Sequence, residues 1–459
     1  MSLSHIHCLD RALSYGGDFA ELFLEDKEEN ALRFSSGMAQ GASCNRIHGA
    51  GLYVLKDDQA IYAFSSDTPE DALLSLADRV GELLSLCGQS GRMVSPRPLT
   101  IAHGFNPNPV STQLCTRSDK IRLLSDASAA ALGAGFSLPT LQADLFETNQ
   151  HITVINSDGL EASDQRFSTK LRLQLAVAVE GKTQFEWTDC TVPNTFDAFR
   201  TLTDTESFAH NAVTDIAAAL RAPMAKGGRM PVVMEAGCGT LWHEACGHML
   251  ESAAIYDQTS PFAGRIGEKI ASDKITLIDD GSIPGLYGST AIDDEGHPTQ
   301  KNVLIEKGVL KGYLTDRLGA RRRGLPRSGS GRRQSYTFAP ASRMNNTYLD
   351  AGHDDEEEMI RTVDHGLYVK RLGGGNSGRS FSIAVAEGYL IEKGEITQRV
   401  KGLTLTGSGE EIMRSIDRVG RVNQYEESGS YCGASSGLVP VTAFQPRIRI
   451  AQMNVGGEG

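Results

Sequence analysis

The pentapeptide LIEKG occurs twice, at residues 304–308 and 390–394, and β-prone runs flank both copies. A Glu-Lys-Gly step between two such runs suits a tight hairpin turn, in which glycine adopts a left-handed backbone conformation. Two matching hairpins indicate an antiparallel sheet. Beyond about residue 230, helices become rare and glycine-punctuated strands dominate. We therefore predict a mainly antiparallel β domain over residues 230–459.

The first half of the chain alternates helical and strand-like segments. Apolar periodicity and capping residues predict three helices, at residues 69–86, 118–132 and 204–221. A stretch rich in Gly, Pro, Ser and Asn, residues 88–113, predicts an exposed connection. We therefore predict an N-terminal α/β subdomain over residues 1–105 and a central one over residues 114–223, with antiparallel or mixed sheets. The fold class expected for the whole chain is α+β.

Composition argues against several kinds of partner and location. The net charge is −12, so the chain as a whole does not attract nucleic acid or an anionic membrane. The N-terminal sequence lacks the continuous apolar segment of a signal peptide, and no apolar run is long enough to span a membrane. Eight cysteines, irregularly spaced and without a CxxC pair, do not suggest a disulfide framework. A cytoplasmic location is therefore expected.

Residues 243–248 read HEACGH, a glutamate between two histidines that are five positions apart. On a regular helix, with roughly 100° per residue, this spacing leaves the two histidines about 140° apart. Apolar pairs recur here every four residues, a longer repeat than that of a regular α-helix. A π-bulge near Gly247 would rotate His248 towards His243, and such bulges are frequent at functional sites. Chelation by both histidines therefore requires a distorted helix.

The residues alone leave several interpretations of this motif open. Regular helical spacing favours Cys246 as a ligand in place of His248, although its apolar neighbours indicate a buried thiol. The alternative without chemistry is a polar helix face with two solvated histidines. In the catalytic interpretation, zinc binds neutral imidazoles and activates a water molecule as nucleophile, and Glu244 is the general base. Glu251 either orients the imidazole of His248 or forms a surface salt bridge.

Six stretches of the C-terminal half add to this motif. In chain order they are HEACGHMLES, IDDEGHPTQKNVLIEKGVLKGYLTDRLGARR, GSGRRQSYTFAPASRMNNTY, GGGNSGRSFSIAVAEGYLIEKGEIT, VKGLTLTGSGEEIMRSIDRVG and SGSYCGASSGLVPVTAFQPRIRI. With them the sequence resembles the TldD/PmbA family of zinc-dependent peptidases, also called modulators of DNA gyrase. The resemblance covers most of the chain, and this many ordered matches are far more specific than the six-residue motif alone.

The resemblance to catalytic TldD-type members implies a complete site. One zinc ion per catalytic subunit would be held by His243, His248 and Cys432, with Glu244 as the catalytic glutamate. Without the resemblance, Cys432 is interpreted as an ordinary buried thiol. Its Gly/Ser-rich loop, SGSYCGASSG, could nevertheless bend towards a metal, and bound zinc would hold the sulfur as thiolate.

The resemblance also implies partners. The chain would form a homodimer, or a heterodimer with a TldE/PmbA-type relative that lacks the histidine motif, and the dimer would enclose a cavity. Unfolded proteins or leader peptides would dock there as an added β-strand, a mode that reads mainly the backbone. The rival function is a non-catalytic binding or regulatory subunit of a peptidase or gyrase-modulating complex. Presence of the motif argues against that rival.

Two further segments bear on the substrate. Arg332 and Arg333 are candidates for binding a peptide carbonyl or a terminal carboxylate, with solvated surface arginines as the alternative. The segment GGGNSG, residues 373–378, departs from familiar members, which often have an acidic segment there. This departure leaves the substrate preference open but does not affect the expected metal site.

Overall fold

Two large sheets organise the chain, one from each half. The computed structural model describes residues 3–86, 100–102, 115–376, 378, 380–424 and 429–457. The elements described in the first half are α1 (Leu3–Leu13), β1 (Phe19–Ser35), β2 (Met38–Lys56), β3 (Gln59–Ser65), α2 (Glu70–Leu86), β4 (Thr100–Ala102), α3 (Arg117–Gly133), β5 (Ser137–Asn156), β6 (Leu160–Val179), β7 (Lys182–Val192), α4 (Phe196–Leu202) and α5 (Thr205–Arg221). Their seven strands form one sheet in the order β3-β2-β1-β5-β6-β4, with β7 also paired to β6.

Strands from both predicted N-terminal ranges belong to this one sheet. The reason is a long-range pairing, because β1 runs antiparallel to β5 from Glu21 to Ser35. Most of the predicted connection over residues 88–113 lies outside the described residues. Residues 100–102 within it form β4, a short strand parallel to β6.

Helices cover one face of the first sheet. Leu22 of β1 packs with α1 and α2, and Leu32 of the same strand packs with α3 and α5. Because strand side chains alternate between faces, Phe23 points the opposite way. It is buried against Tyr336 of the second half of the chain. The first sheet therefore lies between its own helices and the C-terminal half.

The second half is mainly antiparallel β-structure, as the sequence predicted. Its elements are β8 (Gly228–Met234), α6 (Thr240–Trp242), α7 (Ser252–Tyr256), β9 (Leu277–Asp280), β10 (Lys301–Glu306), β11 (Val309–Leu310), α8 (Arg317–Arg323), β12 (Gly331–Arg332), β13 (Ala341–Ser342), β14 (Asn346–Leu349), α9 (Glu356–Arg361), β15 (His365–Asn376), β16 (Phe381–Glu392), β17 (Glu395–Val400), β18 (Thr404–Gly407), α10 (Gly409–Ser415), β19 (Ile416–Gln424), β20 (Ser430–Ala434) and β21 (Gly437–Gly456). Twelve of these strands form the second sheet, and β21 pairs with β14, β18, β19, β20 and β8. The whole chain is α+β. No helix within the described ranges is both long and apolar enough to cross a membrane.

Both LIEKG sequences form hairpins, as predicted. In the first, Glu306 pairs with Val309 across Lys307-Gly308, and in the second, Glu392 pairs with Glu395 across Lys393-Gly394. The two glycines have φ of +81° and +83°, and the two lysines have φ of +46° and +54°. Positive φ at both central residues is typical of a type I′ turn, whose twist matches that of the flanking strands.

Candidate metal centre

The HEACGH segment is helical but changes pitch at its first histidine. Thr240–Trp242 is α-helical, His243–Gly247 is π-helical and His248–Leu250 is a 3₁₀ turn. The N–H of His248 donates to the carbonyl oxygen of His243, so that one wide turn separates the two residues. Both side chains line the same cleft. Because of this wide turn, two histidines five residues apart can both face one metal ion.

Close packing holds this wide turn in place. A β-carbon added to Gly247 would lie 2.1 Å from Sδ of Met344, so a larger residue would displace that side chain. On the other side, the fully buried Trp242 donates from Nε1 to Oε1 of Gln445 at 2.7 Å. The turn is therefore fixed by tertiary contacts on two sides.

Cys246 points into the hydrophobic core. It is fully buried, and its Sγ lies 3.5 Å from the carbonyl oxygen of Trp242, one turn earlier. It belongs to a hydrophobic core cluster that also includes Leu241, Leu250 and Met413. Burial raises the pKa of its thiol to about 12, so the thiolate that a metal requires is disfavoured there. The structure does not bring Cys246 into the cleft that His243 and His248 share.

Cys432 reaches the cleft from a different part of the chain. It lies on β20, where it pairs with Val439 of β21, and its Sγ is 3.1 Å from Nε2 of His248. On the other side of the imidazole, Nδ1 is 3.1 Å from Oε2 of Glu251. Glu251 has left the helix, with φ of −76° and ψ of 140°, and is only 5% exposed. His248 is therefore held between a thiol and a buried carboxylate, and Glu251 is not a surface residue.

The two histidines have opposite electrostatic surroundings. Burial acts to lower the pKa of His248, but the Glu251 carboxylate and the hydrogen bonds with Cys432 and Glu251 outweigh it and raise that pKa to about 11. Burial lowers the pKa of His243 to about 3, helped by the nearby charges of His248 and Arg343. His243 is therefore a neutral imidazole. Its buried Nε2 has no hydrogen-bond partner among the described residues.

Glu244 lies in the wall of the cleft, opposite a glycine-rich strand. The cleft has a volume of about 550 Å³ and is lined by Glu244, both histidines, Cys432, Tyr431 and residues 373–376. A β-carbon on Gly375 would lie 3.1 Å from Cγ of Glu244. The glycine backbone therefore comes close to the glutamate without a side chain between them.

Sequence reasoning missed Arg343, which ties the parts of the site together. It is fully buried and donates to the carbonyl oxygen of Cys432 at 2.5 Å and to that of Gly437 at 2.8 Å. Its Nε lies 3.7 Å from Oε1 of Glu251. One guanidinium thus supports both the cysteine strand and the carboxylate behind His248. An arginine in a polar stretch carries no sequence signal for such a role, because the contacts join distant segments.

The donor atoms in the cleft fit a metal ion. Two imidazoles and a thiol are ligand types that zinc uses, and three protein ligands leave a position for water. As the side chains stand, no three His, Cys, Asp or Glu residues of the described chain surround a single point. His248 and Cys432 are already in contact, and the unpartnered nitrogen of His243 borders the same cleft. Metal binding displaces protons from such ligands, so a cation would replace the proton shared by His248 and Cys432.

Arg332 and Arg333 are not solvated surface residues, so that alternative is wrong. They are only 4% and 3% exposed. Arg333 donates to Oε1 of Glu21 on β1 at 2.8 Å, and both side chains of this ion pair are fully buried. Arg332 donates from Nη1 to the carbonyl oxygen of Met344 at 2.6 Å. Neither arginine lines the cleft that contains the histidines.

Comparisons with known proteins identify the family. Residues 227–457 match the model described as PmbA/TldA metallopeptidase C-terminal domain, and residues 20–84 match that of PmbA/TldA metallopeptidase domain 1. A Haemophilus influenzae relative named metalloprotease TldD homolog is 34% identical, over 96% of this chain and 93% of its own length. A Saccharolobus solfataricus relative named zinc metalloprotease TldD homolog is 28% identical, over 52% of this chain and 54% of its own. The crystal structure of TldE from Thermococcus kodakarensis has a TM-score of 0.73 at 18% identity, with 99% of this chain and 100% of that chain covered. The chain is a metalloprotease and belongs to the PmbA/TldD family of metallopeptidases.

Proposed function

We propose that this protein is a zinc-dependent peptidase that hydrolyses peptide bonds of unfolded proteins or leader peptides. The observation that carries the proposal is the convergence of His243, Glu244, His248 and Cys432 on one cleft. His243, His248 and Cys432 would hold one zinc ion per chain. The zinc named for the Saccharolobus solfataricus relative supports this choice of metal.

Glu244 is the residue proposed to move protons. Zinc in this site would polarise the scissile carbonyl and lower the pKa of the attacking water. The Glu244 carboxylate accepts a proton from that water and passes it to the nitrogen of the leaving amine. Glu251 accepts a hydrogen bond from Nδ1 of His248, which leaves Nε2 turned towards Cys432. The chain therefore supplies the general base and the orientation of the metal ligands.

The glycine-rich part of β15 is the proposed docking edge for the substrate. On one edge of this segment, Gly375 and Asn376 pair with β16. Towards β8, the described pairing of β15 extends only over Leu367–Val369. The backbone of residues 373–376 thus borders the cleft and could pair with an extended peptide. Recognition through backbone groups predicts broad tolerance of substrate sequence.

The activity test compares an unfolded substrate with a folded one. We expect the zinc-loaded protein to cleave casein-like or denatured chains while a compact, stably folded domain stays intact, because strand addition requires an extended segment. Fragments would be followed by mass spectrometry, with and without a zinc chelator. The matched control is the same domain after denaturation. Rapid internal cleavage of the folded domain would contradict the proposed mode of docking.

Assembly is a separate part of the proposal. We propose that the active protein is a dimer, either of two copies of this chain or with a relative that lacks the histidine motif. The fold shared with a TldE structure supports the second arrangement. We expect sedimentation velocity at assay concentrations to show that the sample with peptidase activity is a dimer. A fully active monomer would rule out this assembly.

Removing the charge behind His248 should weaken zinc binding. In Glu251→Gln the side chain keeps its size but loses the carboxylate that accepts from Nδ1 of His248. We expect the zinc dissociation constant to rise by roughly 10–100-fold, the usual effect of losing such a partner. Competition with a coloured chelator measures this constant. Glu180→Gln, whose side chain is 73% exposed, is the matched control and should bind zinc normally. Equal affinities of the two variants would contradict the role of Glu251.

A further inference from the structure

A second cavity lies beside the catalytic cleft, between the first sheet and the C-terminal half. It has a volume of about 210 Å³, and Tyr431 lines both this cavity and the cleft. Tyr431 is also the residue before Cys432, the proposed third ligand. The walls of the cavity include Arg166 of β6, Arg332 and Arg333. The cavity is therefore adjacent to the proposed metal site and lined by several cationic side chains.

Three of the cationic side chains in this cavity have a carboxylate of their own. Arg166 forms ion pairs with Asp164 at 2.9 Å and with Asp294 at 2.6 Å. Lys27 pairs with Glu29 at 2.9 Å, and Arg333 pairs with Glu21 at 2.8 Å. These charges are balanced within the protein, so none of them requires a ligand.

Arg332 is different, because its charge lacks a contacting carboxylate. No carboxylate of the described residues lies within 4.0 Å of its guanidinium; Asp294 and Asp279 act on it only from farther away. Its Nη1 donates to a neutral acceptor, the carbonyl oxygen of Met344. Arg332 is only 4% exposed, so water solvates its guanidinium poorly. Burial correspondingly lowers the pKa of Arg332 to about 10. A buried cation without a paired anion is costly, so the site favours a ligand that supplies one.

A short series of contacts connects Arg332 to the metal site. Arg332 donates to the carbonyl oxygen of Met344, and the N–H of Met344 lies 3.3 Å from Oε1 of Glu251. Glu251 in turn contacts His248. A peptide group bound at Arg332 would therefore lie close to the residues that position the metal ligand.

We propose that Arg332 binds a carboxylate of the peptide substrate in this cavity, either the free C-terminal carboxylate or an acidic side chain. The inference rests on the proposed peptidase function and adds to it a preference for peptides that carry a carboxylate at the position bound by Arg332. The guanidinium supplies a charged donor fork, which suits a planar carboxylate. Arg333, the neighbour in sequence, serves instead to attach the first sheet through Glu21.

Peptide binding is the first test, and it does not require turnover. The protein carries Glu244→Gln, so that bound peptides stay intact, and fluorescence anisotropy measures Kd for labelled peptides of one sequence. One arm compares a free C-terminal carboxylate with a C-terminal amide. The other arm compares Glu with Gln at successive positions of the amidated peptide. In one arm, we expect the peptide with the carboxylate to bind at least about tenfold more tightly than its neutral counterpart. A hydrogen bond to a charged group in a desolvated site contributes at least this much to affinity. The arm that responds identifies the source of the carboxylate.

Substitutions of Arg332 then test whether this residue causes the preference for the carboxylate. Arg332→Met should bring the ratio of the two Kd values close to one, whereas Arg332→Lys, which keeps the charge, should retain part of the preference. Circular dichroism and zinc content verify that the variants are folded. Equal binding of carboxylate and neutral peptides by the parent protein would overturn the inference, as would a preference that survives in Arg332→Met. Failure of the peptidase function has a different signature, since no peptide would be cleaved by the wild-type protein.

Discussion

Replacing Glu244 with glutamine is expected to lower the peptidase kcat/KM by at least about a hundredfold while the bound zinc stays constant. The loss follows from the chemistry, because general-base catalysis alone contributes about 10²–10⁴-fold. The zinc content should not change, because His243, His248 and Cys432 remain as ligands. Glutamine has the size of glutamate, so the approach of Gly375 to this side chain is preserved. The variant therefore separates binding of the metal from the transfer of protons.

The measurement pairs steady-state cleavage of an unfolded substrate with elemental analysis of the same sample. Glu180→Gln, the same substitution at an exposed position, should behave as the wild-type protein in both. Near-normal turnover of Glu244→Gln would remove Glu244 from the mechanism. Loss of zinc together with activity would instead assign Glu244 to the metal site and not to proton transfer.

Replacing Cys432 with serine is expected to remove most of the bound zinc and, with it, the activity. A serine hydroxyl is a poor substitute for a thiolate on this ion, and it has no accessible anionic form at neutral pH. The structure supports the choice of Cys432, because its Sγ lies 3.1 Å from Nε2 of His248. Zinc content after dialysis against a weak chelator measures the effect.

Cys246 provides the matched control for this experiment. Its thiol is fully buried in the core, so Cys246→Val should keep both zinc and activity at a modest cost in stability. Thermal unfolding of both variants distinguishes loss of a ligand from loss of the fold. An empty Cys246 variant beside a zinc-loaded Cys432 variant would reverse the proposed ligand set.

Local features of this chain could be predicted from sequence because short-range geometry decides them. The LIEKG turns require positive φ within two residues, and both form the expected hairpins. The four-residue repeat of apolar pairs around His243 indicated a helix wider than the regular form. The structure places a π-helical turn at His243–Gly247. The pattern that points to each feature lies within a few neighbouring residues, although distant residues such as Met344 also pack against the wide turn.

Contacts between distant segments could not be predicted in this way. The joining of the two N-terminal ranges into one sheet depends on the pairing of β1 with β5, to which neither strand's own pattern points. Arg332 and Arg333 resemble surface residues in sequence, yet both are buried. Arg333 forms an ion pair with Glu21 of the first sheet, whereas Arg332 donates to the carbonyl oxygen of Met344. Their environments follow from how the two halves pack together.

The proposed metal site combines both kinds of information. The sequence by itself determined that His243, Glu244 and His248 lie within two turns of one helical segment, because six consecutive residues cannot separate further. Only the tertiary structure decided which cysteine accompanies them. Cys246 is adjacent in sequence, but its side chain points into the core, whereas Cys432 is 184 residues from His248 and contacts its imidazole. The physical reason is that β20 pairs with β21, which packs against the helical turn through Gln445 and Trp242.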